Sequence, residues 1–103
     1  MAKLKQRIDI KLPNTLDPGI RREVEILFSN GVETFESCEG GEGHPLSEPT
    51  VRFFGNAAAG WKALQVALDH ALPVDELRRV WVITDCVPTG PTWAMTFFRR
   101  KAP

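Results

Sequence analysis

The sequence has no excess of charge of either sign, because 13 Lys and Arg residues balance 13 Asp and Glu residues. A general nucleic-acid-binding domain usually has a basic surplus, since contacts with phosphates supply most of its non-specific affinity. The balance therefore argues against general nucleic-acid binding. Basic clusters do occur near the two ends of the chain, at 3–11 and 99–101, and we interpret them mainly as solvated strand edges or tails.

Long apolar runs and cysteines are also scarce. No segment approaches the roughly 20 apolar residues that a membrane-spanning helix needs, so we expect no membrane partner. The charged N-terminal segment lacks the apolar core of a signal peptide, which favours a cytoplasmic protein with reduced thiols. The chain has only two cysteines, Cys38 and Cys86, and a disulfide between them would require the fold to bring them together.

The length of 103 residues indicates a single domain, residues 1–103, and an apolar content of 43% is enough for a hydrophobic core. Apolar residues at every second position predict a strand, and apolar residues at every third or fourth position predict a helix. In the second helix we expect one side to be buried, formed by Trp61, Leu64, Leu68, Ala71 and Leu72. The patterns predict strands at 4–12, 32–38, 50–54, 80–86 and 92–99, helices at 17–30 and 56–72, a helical turn at 74–79 and a turn at 87–91.

The resulting order, β-α-β-β-α-β-β, predicts an α+β two-layer sandwich. It would have a mainly antiparallel sheet of four to five strands with two helices on one face. Without the first strand, the order is αββ twice, a weak internal repeat that either duplication or chance can explain. The other face of the sheet would carry Trp and Phe side chains, which favours a homodimer interface or a ligand-binding wall.

Residues 37–44, Ser-Cys-Glu-Gly-Gly-Glu-Gly-His, are the most informative stretch of the chain. Glycine is favoured where the backbone adopts a positive φ or closely approaches another group. Here the glycines are surrounded by a thiol, two carboxylates and an imidazole, a combination that indicates a binding site. The residues that we predict to bind a ligand are Ser37, Cys38, Glu39, Gly40, Gly41, Gly43, His44 and Arg52.

Anion binding is one chemistry that fits this loop. Successive backbone N–H groups in a Gly-rich turn can form a concave anion site, and His44 and Arg52 can add positive charge. Glu39 and Glu42 oppose this interpretation, because they would repel an anion. The sequence contains neither the Gly-Lys-Ser/Thr signature of a phosphate-binding loop nor the G-x-G-x-x-G signature of a dinucleotide-binding fold.

Nucleophilic catalysis is a second possibility, because Cys38 and His44 can form a thiolate–imidazolium pair. The simpler alternative is that Cys38 is a small buried apolar residue. A zinc site would need a second pair of ligands, from His70 or Cys86, and the spacing only weakly supports one. We therefore predict no metal and no cofactor.

Residues 31–44, G-V-E-T-F-E-S-C-E-G-G-E-G-H, and residues 48–54, E-P-T-V-R-F-F, resemble a group of small uncharacterised phage and bacterial proteins. That group shares a G-[IV]-x-T-x-x-S-C-x-G-G-x-G-H loop followed by P-T-V-R-F. The segments at 77–81 and 90–93 also fit, so the resemblance covers most of residues 17–98. It implies no specific activity. It implies a phage-type setting, in which small proteins often counter host defence.

We therefore expect a small cytoplasmic binding protein, a phage-type accessory or anti-defence protein that captures a partner protein or a small anionic or nucleotide ligand at the 37–44 loop. One alternative is a small enzyme that uses Cys38 or His44 on a nucleotide-type substrate. Another is a structural or oligomerising accessory protein without a ligand. A homodimer is compatible with each of these hypotheses.

Overall fold

The computed structural model describes residues 18–43 and 46–98. Its four strands form one antiparallel sheet in the order β1-β2-β4-β3, with both helices on one face, which confirms the predicted α+β sandwich. The predicted strand at 4–12 lies outside the described residues. The elements are α1 (Pro18–Ser29), β1 (Thr34–Cys38), β2 (Thr50–Phe53), α2 (Ala57–Asp69), β3 (Val74–Thr84) and β4 (Val87–Phe97).

The hydrophobic core lies between the helices and the sheet. Burial of one large apolar side chain in this core stabilises the folded state by about 1.5–3 kcal/mol relative to leaving it exposed. The helices and the two central strands thus share one apolar layer. Its largest fully buried side chains are Phe53, Phe97, Ile20, Leu27, Met95 and Val51.

The second helix buries a different side from the predicted one. Trp61 and Leu68 are 71% and 59% exposed, while the buried residues of α2 are Gly60, Ala63 and Ala67. The reason is the close approach of the helix to the sheet, because only small side chains fit between them. Of the predicted side, Leu72 is buried and Leu64 is half-buried. The prediction was wrong for Trp61 and Leu68 because large apolar residues were assumed to face the core.

The β3–β4 hairpin also differs from the prediction. The segment at 74–79, predicted as a helical turn, is the first part of β3, and β4 begins at Val87 and not at residue 92. The predicted turn at 87–91 is therefore strand, and the true turn is Asp85-Cys86. Both turn residues have positive φ, 51° and 64°, as a two-residue hairpin turn of the favoured hand requires. Asp75, Glu76, Arg78 and Arg79 place charges on both faces of β3, so the sequence shows no apolar–polar alternation there.

The end of this hairpin that contains the turn, residues 80–91, forms an arm. The part of β4 that pairs with β2 runs from Trp93 to Thr96. The two strands of the arm therefore pair with each other beyond the edge of β2. Trp81 and Ile83 on the arm are both more than half exposed.

The two αββ halves end their helices in the same way. Val32 N donates to Leu27 O at 2.8 Å, and Leu72 N donates to Ala67 O at the same distance. The side chains that follow the helices also correspond, because Asn30 Nδ2 donates to Ile26 O and His70 Nδ1 lies 2.9 Å from Val66 O. Since β2 and β4 are neighbours in the sheet, the two halves are arranged around its centre in a pseudo-symmetric way.

Candidate functional site

The Gly-rich loop packs against its own returning limb. Gly40 has a φ of 79°, and a Cβ at this position would collide with the backbone of Glu48 and Pro49. Gly40 N donates to Cys38 Sγ at 3.4 Å, and Gly41 N donates to the carbonyl oxygens of residues 46 and 47 at 3.1 Å. The N–H groups of these two glycines therefore bond within the loop and do not point to an open anion site.

The other predicted residues of the loop have separate surroundings. Glu39 Oε1 accepts a hydrogen bond from Gly19 N at 2.8 Å, so this carboxylate satisfies an N–H in the first turn of α1. Cys38 is buried at the end of β1, and Ser37 is half-buried beside it. Gly43 has open space around it, and His44 lies outside the described residues. The ligand-binding role of residues 37–44 remains a prediction.

Arg52, the predicted site residue outside the loop, lies on β2 opposite Glu36 of β1. Its Nη1 donates to Glu36 Oε1 at 2.7 Å, and the two side chains are 22% and 48% exposed. Arg52 Nε is buried, and no hydrogen-bond acceptor reaches it in the structure as described. Buried polar atoms are normally paired, so this nitrogen has an unused bonding capacity beside a cleft.

The cleft has a volume of about 380 Å³ and lies on the sheet face away from the helices. One wall is a stacked aromatic pair, Phe35 and Phe54, whose ring centroids are 4.3 Å apart at an interplanar angle of 25°. The arm forms the opposite wall. Thr92 Oγ1 is buried and has no hydrogen-bond partner among the described residues. The lining residues are Phe35, Glu36, Arg52, Phe54, Val82, Thr84, Thr89, Gly90 and Thr92.

A smaller depression of about 120 Å³ lies on the other side of Arg52. It is more polar than the cleft, and Thr96 Oγ1 is a further buried atom there without a partner within residues 18–43 and 46–98. Arg78 also faces it and forms an ion pair with Glu76, Nε to Oε1, at 3.4 Å. The lining residues are Leu46, Ser47, Glu48, Thr50, Arg52, Arg78, Val80, Ala94 and Thr96. Arg52 thus lines both cavities, and the returning limb of the predicted loop borders the smaller one.

A third groove, of about 240 Å³, lies between the start of β1 and the first turns of α2. Its charged lining residues are Glu33 and Lys62. None of the buried unpaired polar atoms found in the described ranges lies on its walls. It therefore gives no comparable indication of a ligand.

The described residues provide little support for metal or thiol chemistry. Within them, no three His, Cys, Asp or Glu side chains come together in a way that can hold a metal ion. Cys38 and Cys86 are both free thiols, the first buried and the second exposed in the hairpin turn. A substrate therefore cannot reach the Cys38 thiol in this structure, as the hypothesis of a catalytic Cys38 requires.

Sequence reasoning named Arg52 as a candidate but missed the cleft that it lines. Opposite charges on neighbouring predicted strands, Glu36 and Arg52, were the available signal for the ion pair. The two halves of the cleft come from residues 35–54 and 82–92, and no local pattern links them. The arm was hidden because residues 87–91 were interpreted as a turn.

Comparisons with known proteins give no family for this chain: no protein-family model, no curated protein and no solved structure matches it. In the described part of the chain, neither helix is long and apolar enough to cross a membrane. Functional conclusions therefore rest on the geometry of the site.

Proposed function

We propose that the protein is a small ligand-binding module, and that its site is the cleft together with the adjoining depression. The ligand class is a molecule with a planar apolar part and an anionic group, of about the size of a mononucleotide. The observation that supports this most strongly is the position of Arg52, which lines both cavities and has a buried Nε without an acceptor in the described structure. Such a module fits the phage-type accessory role that the resemblance implies.

The cleft suits the planar part of such a ligand. Its volume of about 380 Å³ lies within the range of small-molecule sites, which are mostly apolar with a few polar groups. Phe54 is 67% exposed although it stacks on Phe35, so its ring offers a face or edge for a further aromatic group. The hydroxyl of Thr92 supplies a polar contact at the floor.

The depression suits the anionic part. Arg52 and Arg78 face it from two strands, and the buried hydroxyl of Thr96 adds a hydrogen-bond donor. Both arginines are paired with partly exposed carboxylates, Glu36 and Glu76, which a bound anion would displace or share. Charge-assisted hydrogen bonds from a guanidinium to a phosphate or carboxylate are about twice as strong as neutral ones.

The test is a thermal-shift and calorimetric titration of the full chain with nucleoside mono-, cyclic mono- and diphosphates. Nucleosides test the planar apolar part of the ligand separately, and inorganic phosphate tests the anionic part. A ligand present at about 100 times its Kd stabilises the protein by about 2.7 kcal/mol. We expect the Arg52→Gln variant to lose this shift. The matched control is Arg22→Gln, a charge removal on the exposed side of α1.

Two results would contradict the proposal. One is the absence of a shift with every member of the panel. The other is equal stabilisation of the wild type and the Arg52→Gln variant, which would place the ligand elsewhere, for example at residues 37–44.

Capture of a partner protein is the second candidate. It is supported by Trp81 and Ile83, two large apolar side chains that are exposed on the arm. Exposed apolar patches often mark protein interaction sites. The double variant Trp81→Ser/Ile83→Ser would remove this patch. If it loses the protein's biological effect and Arg52→Gln does not, the partner-protein function is favoured over ligand binding.

A further inference from the structure

Strand β3 leaves a long unpaired edge in the described sheet. It spans 11 residues and is the outer strand next to β4, whereas the opposite outer strand, β1, has only five residues. An exposed edge of this length presents backbone N–H and C=O groups that can pair with another strand. Between two register shifts, residues 76–80 pair with β4 without interruption, so this part of β3 is regular.

The sequence of this edge is symmetric about Leu77. Residues 74–80 read Val-Asp-Glu-Leu-Arg-Arg-Val, so each acidic residue on one side of Leu77 has a basic residue at the same distance on the other side. Two copies of an antiparallel strand that meet at Leu77 place Glu76 opposite the partner's Arg78. Asp75 lies in the register shift between Val74 and Glu76, so it and Arg79 fall outside this regular contact. The two-fold axis doubles the contact between Glu76 and Arg78.

The two side chains of this contact are available for it. Glu76 and Arg78 are each more than half exposed and lie on the same face of the strand, with Arg78 Nε 3.4 Å from Glu76 Oε1. Arg79 is instead engaged by its own chain, because its Nη1 donates to Gly55 O at 2.6 Å and its guanidinium lies 4.6 Å from the centre of the Trp93 ring. Opposite charges directly across a strand pair are stabilising, and like charges there are destabilising.

We infer that β3 is a self-association edge, whose partner is β3 of a second copy of this chain, paired antiparallel around Leu77. The two four-stranded sheets then form one continuous sheet with a two-fold axis. This is the register that places Glu76 opposite Arg78, because a shift by one residue in either direction leaves one of these charges opposite Leu77. Such a contact is isologous, and it closes at two copies. The inference does not depend on the proposed ligand.

The experiment is sedimentation velocity of the full chain over a concentration series up to about 100 µM, the range in which weak dimers become visible. We expect wild-type protein to form a dimer of twice the 11.5 kDa chain mass. Glu76→Arg and Arg78→Glu should each weaken the dimer roughly 30-fold, because each creates two like-charge contacts across the axis. Lys62→Glu on α2 changes the net charge by the same amount as Arg78→Glu and should leave the dimer unchanged.

Two combinations distinguish this register from other interfaces. An equimolar mixture of Glu76→Arg and Arg78→Glu chains should form a heterodimer, and the double variant Glu76→Arg/Arg78→Glu should regain the homodimer. A dimer that is insensitive to both single substitutions, or a mixture that stays monomeric, would overturn the inference. A wild-type monomer throughout the series would also overturn it, and would favour coverage of the edge from within the chain, for example by the strand predicted at 4–12.

Discussion

Gly60 lies directly against the indole ring of Trp93, so that a Cβ on residue 60 would stand 2.6 Å from Trp93 Cζ2. We expect Gly60→Ala to lower the free energy of unfolding by about 1 kcal/mol or more. The cost of overpacking is about 1–3 kcal/mol and exceeds the gain of up to about 1 kcal/mol from replacing glycine in a helix. Urea denaturation of both proteins measures the difference.

A double-mutant cycle supplies the control. In a Trp93→Phe background, Gly60→Ala should cost less, because the smaller ring leaves room for the added methyl group. Equal stability of the wild type and Gly60→Ala would show that the helix can move away from the ring without loss.

Glu36 forms an ion pair with Arg52, and replacing Glu36 should affect ligand binding more than stability. Both side chains are partly exposed, so Glu36→Gln should change the free energy of unfolding by no more than about 1 kcal/mol. The same substitution should strengthen the binding of an anionic ligand, because it removes a carboxylate that competes for Arg52. Calorimetric titration of both proteins with whichever ligand stabilises the wild type measures the effect. Weaker binding to Glu36→Gln would mean that the carboxylate itself contacts the ligand.

The two thiols should react at very different rates in the native protein. Cys86 is exposed in the hairpin turn, whereas Cys38 is buried and its Sγ accepts a hydrogen bond from Gly40 N. A chromogenic disulfide reagent should modify one thiol quickly and the second only after denaturation, since a buried group reacts through local opening. In Cys86→Ser the rapid phase should disappear. Rapid modification of Cys38 in that variant would instead restore the hypothesis of a catalytic thiol.

The hairpin turn offers a stabilising substitution. Asp85 and Cys86 both have positive φ, and Asp-Gly is among the preferred pairs for such a turn. Cys86→Gly should therefore raise the free energy of unfolding by up to about 1 kcal/mol, which corresponds to a rise in Tm of several degrees for a domain of this size. Cys86→Val should have the opposite effect, because a β-branched residue tolerates positive φ poorly. A Tm that is lower for Cys86→Gly than for Cys86→Val would contradict the turn geometry.

Local signals in the sequence were enough for most of the fold. Asn56 caps α2, since its side-chain oxygen accepts a hydrogen bond from Ala59 N, and Gly31 follows α1 with a φ of 89°. The start of β3 was predicted as a helical turn because Val74 and Leu77 have the i, i+3 spacing of one helix face, with charged residues between them. Only their pairing with β4 across the sheet decides in favour of a strand.

The candidate site was less accessible to sequence reasoning, because the residues that line it are distant along the chain. Glycines and reactive side chains at 37–43 drew attention to a loop whose bonds are largely internal. Phe35 and Phe54 looked like ordinary strand residues, and nothing in the sequence indicated that Thr92 would face the same cleft. The position of Arg52 between two cavities follows from the sheet order alone, which no local pattern encodes.

The sheet order also bears on the synthesis of the chain. β4 lies between β2 and β3 and is the last described element, so a nascent chain has β2 unpaired on one side until β4 leaves the ribosome. Each αββ half forms its own antiparallel strand pair, and the pairing of β2 with β4 joins the two halves into one sheet. The four-stranded sheet can therefore form only after β4 has been synthesised, and translation products that stop before β4 should be insoluble fragments and not small stable domains.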